Sequence, residues 1–244
     1  MRRQRTPTSK SFDVRIRALD WGQISSDLDA FGAATIGPVL TPTECEVVAA
    51  GFMSNKAFRK HIVMQKHGFG RGEYKYWDYP LPAFVGGLRN GFYPRLAKLA
   101  NIWQAALGNE QMYPPTLADY LERCHEAGQL RPTPLLLKYG VGDYNCLHQD
   151  LYGDHAFPLQ IAILLSEPGQ DFEGGEFVVT EQRPRMQSRA EVIALRQGQA
   201  VVFACNSRPV IGNRGTYRVK MRHGVSRIRQ GVRYTMGLIF HDAA

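Results

Sequence analysis

The distribution of apolar positions divides the chain near residue 131. Before it, apolar residues recur at three- and four-residue intervals over 21–31, 44–52, 92–107 and 117–125, the spacing of one buried helical face. The second of these segments follows Thr41-Pro-Thr, a run suited to a helix N-terminus. A short strand is expected over 34–40. Residues 67–80, His67-Gly-Phe-Gly-Arg-Gly-Glu-Tyr-Lys-Tyr-Trp-Asp-Tyr-Pro, read as a glycine-rich loop ending in aromatics. Beyond 131 the texture changes to short runs separated by turn residues, and strands are expected over 134–139, 145–148, 159–165, 176–180, 192–195, 200–204, 218–225 and 233–240. Alternation in 218–223 puts Val219, Met221 and His223 on one face of a strand and Arg218, Lys220 and Arg222 on the other.

Eight short strands after a helical half predict an α+β protein. Its C-terminal half would be a double-stranded β-helix, or jelly-roll, barrel backed by an N-terminal helical layer. The expected organisation is a flexible basic arm over 1–16, a mainly helical supporting and lid region over 17–130, and the double-stranded β-helix core over 131–244. With 244 residues, 44% of them hydrophobic and 21% charged, the chain can bury a substantial core. Its longest apolar run, Ile161-Ala-Ile-Leu-Leu, is too short to cross a bilayer, so no membrane association is expected. The basic N-terminus is followed by no apolar segment and does not read as a secretory signal. Cys45, Cys124, Cys146 and Cys205 are scattered, which fits reduced thiols and a cytoplasmic location.

Charge sharpens this picture. The formal net charge is +8, and it is concentrated: residues 181–233 hold twelve basic side chains against Glu181 and Glu191 alone. Such a segment reads as a footprint for a polyanion, with nucleic acid the expected partner.

The same segment overlaps a set of residues with metal chemistry. His148 and Asp150 stand two apart, and residues two apart on a strand point the same way. His223 follows on the alternating segment described above. Taken alone, His-x-Asp fits a surface hydrogen bond equally well. With His223 it offers two imidazoles and a carboxylate and leaves about half an octahedral shell open, the donor set of a non-haem Fe(II) centre. Arg233 lies ten residues after His223 and shares the parity of Thr235 and Gly237. Its planar guanidinium suits the far carboxylate of a C5 diacid. Tyr139, nine residues before His148, can turn a phenol towards the same ligand. Tyr74, Tyr76 and Trp77 around Lys75 fit a stacking lid for a base, and Arg183 and Arg185 fit phosphate contacts. The aromatics fit equally well as packing between helices and barrel.

The order Tyr139, His148-x-Asp150, His223, Arg233 resembles the 2-oxoglutarate- and Fe(II)-dependent dioxygenase superfamily. More narrowly, several stretches are similar to the bacterial oxygenase family that acts oxidatively on alkylated, damaged DNA. They are Arg131-Pro-Thr-Pro-Leu-Leu-Leu, Tyr144-Asn-Cys-Leu-His-Gln-Asp-Leu-Tyr-Gly, Phe172-Glu-Gly-Gly-Glu-Phe, Glu181-Gln-Arg-Pro-Arg-Met-Gln-Ser-Arg, Arg222-His-Gly-Val-Ser and Gly237-Leu-Ile-Phe-His-Asp-Ala. The resemblance implies Fe(II) on His148, Asp150 and His223, 2-oxoglutarate on Tyr139 and Arg233, and O2 as oxidant. It also implies demethylation of bases in single-stranded or flipped-base DNA, with release of succinate, CO2 and formaldehyde. The ten-residue offset from His223 to Arg233 is similar instead to prolyl-hydroxylase-type enzymes, so hydroxylation of a protein or a small molecule stays open. A third reading is a nucleic-acid-binding module without catalysis.

Overall fold

The computed structural model describes residues 9–110, 112–213 and 215–244, so the first eight positions of the expected basic arm lie outside the described residues. Residues 9–16, also expected in that arm, are instead helical. They belong to α1 (Ser9–Arg17), whose buried Phe12 and Ile16 are one turn apart, and α1 packs on α4 (Ala83–Ala106). The apolar pair outweighs the basic composition that had marked the segment as an arm.

The other helices follow their local signals. In α2 (Trp21–Phe31), Asp20 accepts from the Gln23 backbone N–H at the start, and Gly32 at φ 75° ends the helix. Helix α3 (Pro42–Ala50) begins two residues before the expected start. Thr41 accepts from the Glu44 N–H while the Glu44 carboxylate accepts from the Thr41 N–H at 2.8 Å, and Pro42 occupies the first turn. Helix α4 begins well before residue 92, because its buried stripe starts at Val85 and Leu88 and continues through Phe92 and Leu96. Helix α5 (Leu117–Glu126) lies against it, with Tyr120 stacked on Tyr93 at 5.5 Å between centroids. The buried ion pair of Arg89 on α4 with Asp242 near the C-terminus, 3.1 Å, ties the helix to the end of the chain.

Among the described residues the strands pair antiparallel, and the one parallel contact is the isolated bridge of Pro168 with Phe172. The larger sheet runs β1 (Ala33–Ile36), β11 (Ala200–Ala204), β7 (Leu159–Leu164), β15 (Arg233–Leu238), β5 (Leu135–Tyr139), β4 (Glu73–Trp77), β2 (Phe58–Val63). The smaller runs β10 (Arg189–Ile193), β9 (Phe177–Gln182), β13 (Gly215–Val225), β6 (Tyr144–His148), β3 (Gly70–Arg71), with β12 (Ser207–Gly212) hairpinned onto β13. A separate ribbon pairs β8 (Phe172–Gly174) with β14 (Ile228–Gly231). The two main sheets face each other across an apolar interior; Phe203 of the larger meets Phe177 and His223 of the smaller at 4.9 and 4.6 Å. The result is a mixed helix and antiparallel-sheet structure of jelly-roll type, with its strands in distinct sheets.

Two further sequence expectations need correction. The region 17–130 is less helical than expected, because it supplies β1 to β4, and β4 lies in the larger sheet between β5 and the edge strand β2. The expected loop over 67–80 contains β3 and β4. Its glycines concealed a strand: Glu73-Tyr-Lys-Tyr pairs residue by residue with β5, Tyr74 against Leu137 and Tyr76 against Leu135.

Candidate metal centre and co-substrate cavity

Strand register brings the predicted metal ligands together. His223 on β13 is the direct cross-strand partner of His148 on β6, and Asp150 follows two residues beyond His148. Burial along β13 alternates as its sequence foretold: Val219, Met221 and His223 are buried while Arg218, Lys220 and Arg222 are exposed. One donor atom each from His148, Asp150 and His223 lies within 4.8 Å of the others. The Asp150 carboxylate bridges the two rings, Oδ1 3.5 Å from Nε2 of His148 and Oδ2 3.3 Å from Nε2 of His223. Among the described residues this is the one group of three or more His, Cys, Asp or Glu side chains placed to share an ion.

The surroundings prepare these groups to act as donors. His148 Nδ1 lies 2.7 Å from the Cys146 carbonyl, an acceptor, so Nδ1 carries a proton and Nε2 is the ring nitrogen turned towards Asp150. Burial works against ionisation of Asp150, but hydrogen bonding and charge from His148 and His223 outweigh it and hold the carboxyl well below its usual range. Burial dominates at His223 and lowers its pKa, favouring the neutral imidazole a cation needs. At His148 burial is overcome by the Asp150 hydrogen bond and charge, and the pKa rises.

Tyr152, which the sequence reading missed, donates to Asp150 Oδ1 at 2.7 Å, and Tyr76 approaches the Tyr152 hydroxyl at 3.4 Å. The signal was present, since Tyr152 stands two residues beyond Asp150. Groups that orient a ligand typically contribute 10- to 100-fold in metal affinity. Tyr152→Phe is therefore expected to weaken Fe(II) binding by about that factor in an anaerobic titration, with the fold intact. Unchanged affinity would reduce the contact to packing.

A second pair is also set by register. Arg233 on β15 is the cross-strand partner of Tyr139 on β5, and the guanidinium carbon lies 5.7 Å from the centre of the Tyr139 ring. Both side chains are buried, and both line the cavity of about 340 Å³ that the triad opens into. Glycines make room for them. A Cβ on Gly72 would stand 2.8 Å from Tyr139 Cδ1, and one on Gly175 would stand 3.0 Å from Arg233 Cδ. Arg233 donates to the Thr235 hydroxyl but forms no ion pair with a carboxylate among the described residues, and its Nε has no partner. Burial pushes its pKa down to about 10. The Tyr139 hydroxyl is likewise buried, approached by the side chain of Asn145 but in no well-formed hydrogen bond. A buried cation with unspent donors is costly unless an anion joins it. The pair thus fits a carboxylate ligand, and the triad's imidazole and carboxylate donors with open positions fit Fe(II).

The predicted substrate contacts fare unevenly. Tyr74 and Tyr76 line the cavity, edge to face at 5.3 Å. Lys75 points the other way because β4 alternates; it is buried, donating to the Phe52 carbonyl at 2.7 Å and Asn55 Oδ1 at 2.8 Å, and is not available to substrate. Trp77 packs between Phe58 and Phe84. Arg183 is engaged with Glu181 at 2.7 Å, and Arg185 is exposed in the β9–β10 turn at φ 61°. The basic segment is also less free than its count: Arg208 is buried against Glu181, and Arg229 pairs with Glu176 at 3.4 Å.

The comparisons agree with this geometry. The fold is shared with solved 2-oxoglutarate and Fe(II) enzymes at low identity. A prolyl hydroxylase of Trichoplax adhaerens, in complex with a hypoxia-inducible-factor peptide, is 13% identical with a TM-score of 0.56, covering 96% of this chain and 93% of that one. A 2OG-Fe(II) oxygenase family oxidoreductase of Burkholderia pseudomallei is 13% identical with a TM-score of 0.52, covering 92% of each chain. Fold, family match and donor set together make this protein a 2-oxoglutarate/Fe(II)-dependent oxygenase, with Fe(II), 2-oxoglutarate and O2 as its cofactor and co-substrates. Residues 72–243 match the family described as "Oxygenase, catalysing oxidative methylation of damaged DNA", and the chain belongs to that family. An uncharacterized protein of Mycobacterium tuberculosis is 52% identical over 165 residues, 68% of this chain and 71% of that protein. No helix among the described residues is long and apolar enough to cross a membrane.

Proposed function

We propose that this oxygenase removes alkyl groups from bases in damaged DNA, with His148, Asp150 and His223 holding Fe(II) and Tyr139 with Arg233 holding 2-oxoglutarate. The observation that carries the site assignment is the pairing of two cross-strand couples, His148 with His223 and Tyr139 with Arg233, on one cavity. Bound there, Fe(II) with 2-oxoglutarate and O2 supplies the oxidant for a C–H bond, and 2-oxoglutarate leaves as succinate and CO2. None of these reagents carries a methyl group to transfer, so the family's oxidative chemistry on damaged DNA runs in the direction of methyl loss. One oxygen atom enters the N-methyl carbon, and the resulting N-hydroxymethyl group departs as formaldehyde, leaving N–H on the base.

The protein's own contribution is positional. Arg233 and Tyr139 orient the diacid, the Arg233 Nε having no other partner among the described residues. Tyr74 and Tyr76 offer aromatic edges and faces at the cavity wall for a base taken out of its stack. Apolar lining from Leu135, Leu137 and Phe177 keeps the reacting centre dry. In this reading residues 131–244 form the catalytic core, with the helices of 17–130 as its supporting layer.

The test is turnover of protein purified without oxygen and supplied with Fe(II) and 2-oxoglutarate. Methylated single strands are expected to yield formaldehyde and succinate in equal amounts, and duplexes to yield less, since the base must be extruded. Hydroxylated peptide from a parallel arm, with no formaldehyde from DNA, would replace this reading with peptide hydroxylation. The ten-residue spacing from His223 to Arg233 favours that second reading.

A further inference from the structure

We infer that the outer face of β13 is a track for the phosphate backbone of single-stranded nucleic acid, formed by Arg218, Lys220 and Arg222. This rests on the reading of DNA as substrate. The strand carries the two faces of the enzyme back to back: Val219, Met221 and His223 point into the interior, and the three cations point out and are exposed. A strand rises about 3.4 Å per residue, so alternate side chains stand about 7 Å apart in a line, a repeat comparable to that of successive phosphates on an extended strand.

These cations are unneutralised and stand in line on one strand face, whereas several others of the basic segment are already engaged. Arg183, Arg189 and Arg208 converge on Glu181, and Arg229 is held by Glu176, whereas Arg218, Lys220 and Arg222 enter no ion pair among the described residues. Their cross-strand neighbours share the outer face and carry no charge. Lys220 is flanked by Ser207 and Gln182, Arg218 by Pro209, and Arg222 by Thr180. Three like charges in a row repel one another and gain nothing from the fold, so a polyanion is the complementary occupant.

The track also leads to the chemistry. Arg222 immediately precedes His223, which is registered against His148 on β6. On β6, Leu147 is both exposed and part of the cavity lining. A backbone lying on the cations therefore reaches the cavity rim at Leu147, where a base can turn inward past Tyr74 and Tyr76. Protein contacts to phosphate set position and orientation, while recognition of the lesion is left to the cavity.

Binding of a fluorescent single-stranded oligonucleotide to the full chain, titrated over salt, tests the track. Each phosphate contact to a single strand contributes about 0.7 to the slope of log K against log salt concentration, so R218A/K220A/R222A is expected to reduce that slope by about 2. R218K/R222K keeps the point charges and is expected to keep the slope. An unchanged slope in the triple variant, with wild type binding normally, would overturn the track and leave the DNA reading standing. A wild type with no salt-dependent binding would overturn both. Capture of anionic lipid vesicles in place of the oligonucleotide, lost in the triple variant, would assign the face to a lipid surface and likewise reject the track.

Discussion

Asp150→Ala is expected to bring Fe(II)-dependent succinate formation down to the level of free iron, with the fold retained. Asp150 is the only carboxylate among the three clustered donors, and it bridges the Nε2 atoms of the two imidazoles. Without it two neutral nitrogen donors remain, and a hard divalent ion loses the anionic oxygen that distinguishes this site from a generic histidine pair. The fold should survive because the partners of Asp150 do not become stranded charges. His148 is held in its raised range by the Asp150 hydrogen bond and charge against the pull of burial, so removal of the carboxylate lets its pKa fall towards the neutral form. His223 is already biased to neutrality by burial. Anaerobic Fe(II) titration and succinate yield, read beside a thermal melt, separate loss of metal from loss of structure. Full turnover in the variant would move the centre elsewhere.

Much of this site was legible in the sequence because strands have a period of two. Alternation alone put His223 inside and Arg218, Lys220 and Arg222 outside, and the same parity aligned Arg233 with Thr235 and Gly237, all of which line the cavity. What the sequence could not supply was register. That His223 meets His148, and Arg233 meets Tyr139, follows from pairings between segments far apart in the chain. Lys75 shows a second limit. Between two tyrosines it reads as an exposed cation, yet its strand is covered on both sides and its ammonium is satisfied by the Phe52 carbonyl and Asn55. The buried partnership of Arg89 with Asp242 was illegible for the same reason, since burial of charge depends on a partner 153 positions away. Glycine hid β3 and β4, although two of the glycines in question serve the site: Gly72 gives clearance to Tyr139, and Gly70, at φ 126°, lies against the backbone of β6 at Tyr144.

Arg233→Met carries an opposite pair of expectations, and the opposition makes it diagnostic. Truncating one partner of a buried, hydrogen-bonded charge pair costs about 2–5 kcal/mol, so apparent 2-oxoglutarate affinity should fall on the order of 10²-fold or more. The protein without co-substrate should move the other way. In that state Arg233 is a fully buried guanidinium with an unpartnered Nε, depressed to about 10 by burial, and the described structure gives it a hydroxyl and two aromatic faces in place of an anion. Replacing such a charge by an apolar side chain of comparable length removes desolvation that nothing compensates, and exchanges of this kind are often neutral or stabilising by about 1–4 kcal/mol. For a chain of this size each kcal/mol moves the melting temperature by about 2–4 °C. The ligand-free variant should therefore melt at or above the wild type, while added 2-oxoglutarate with a redox-inert divalent ion should raise the melting temperature of the wild type alone, through linkage. A variant that melts lower without ligand and still responds to 2-oxoglutarate would show Arg233 to be a structural cation, and the co-substrate's far carboxylate would need another anchor.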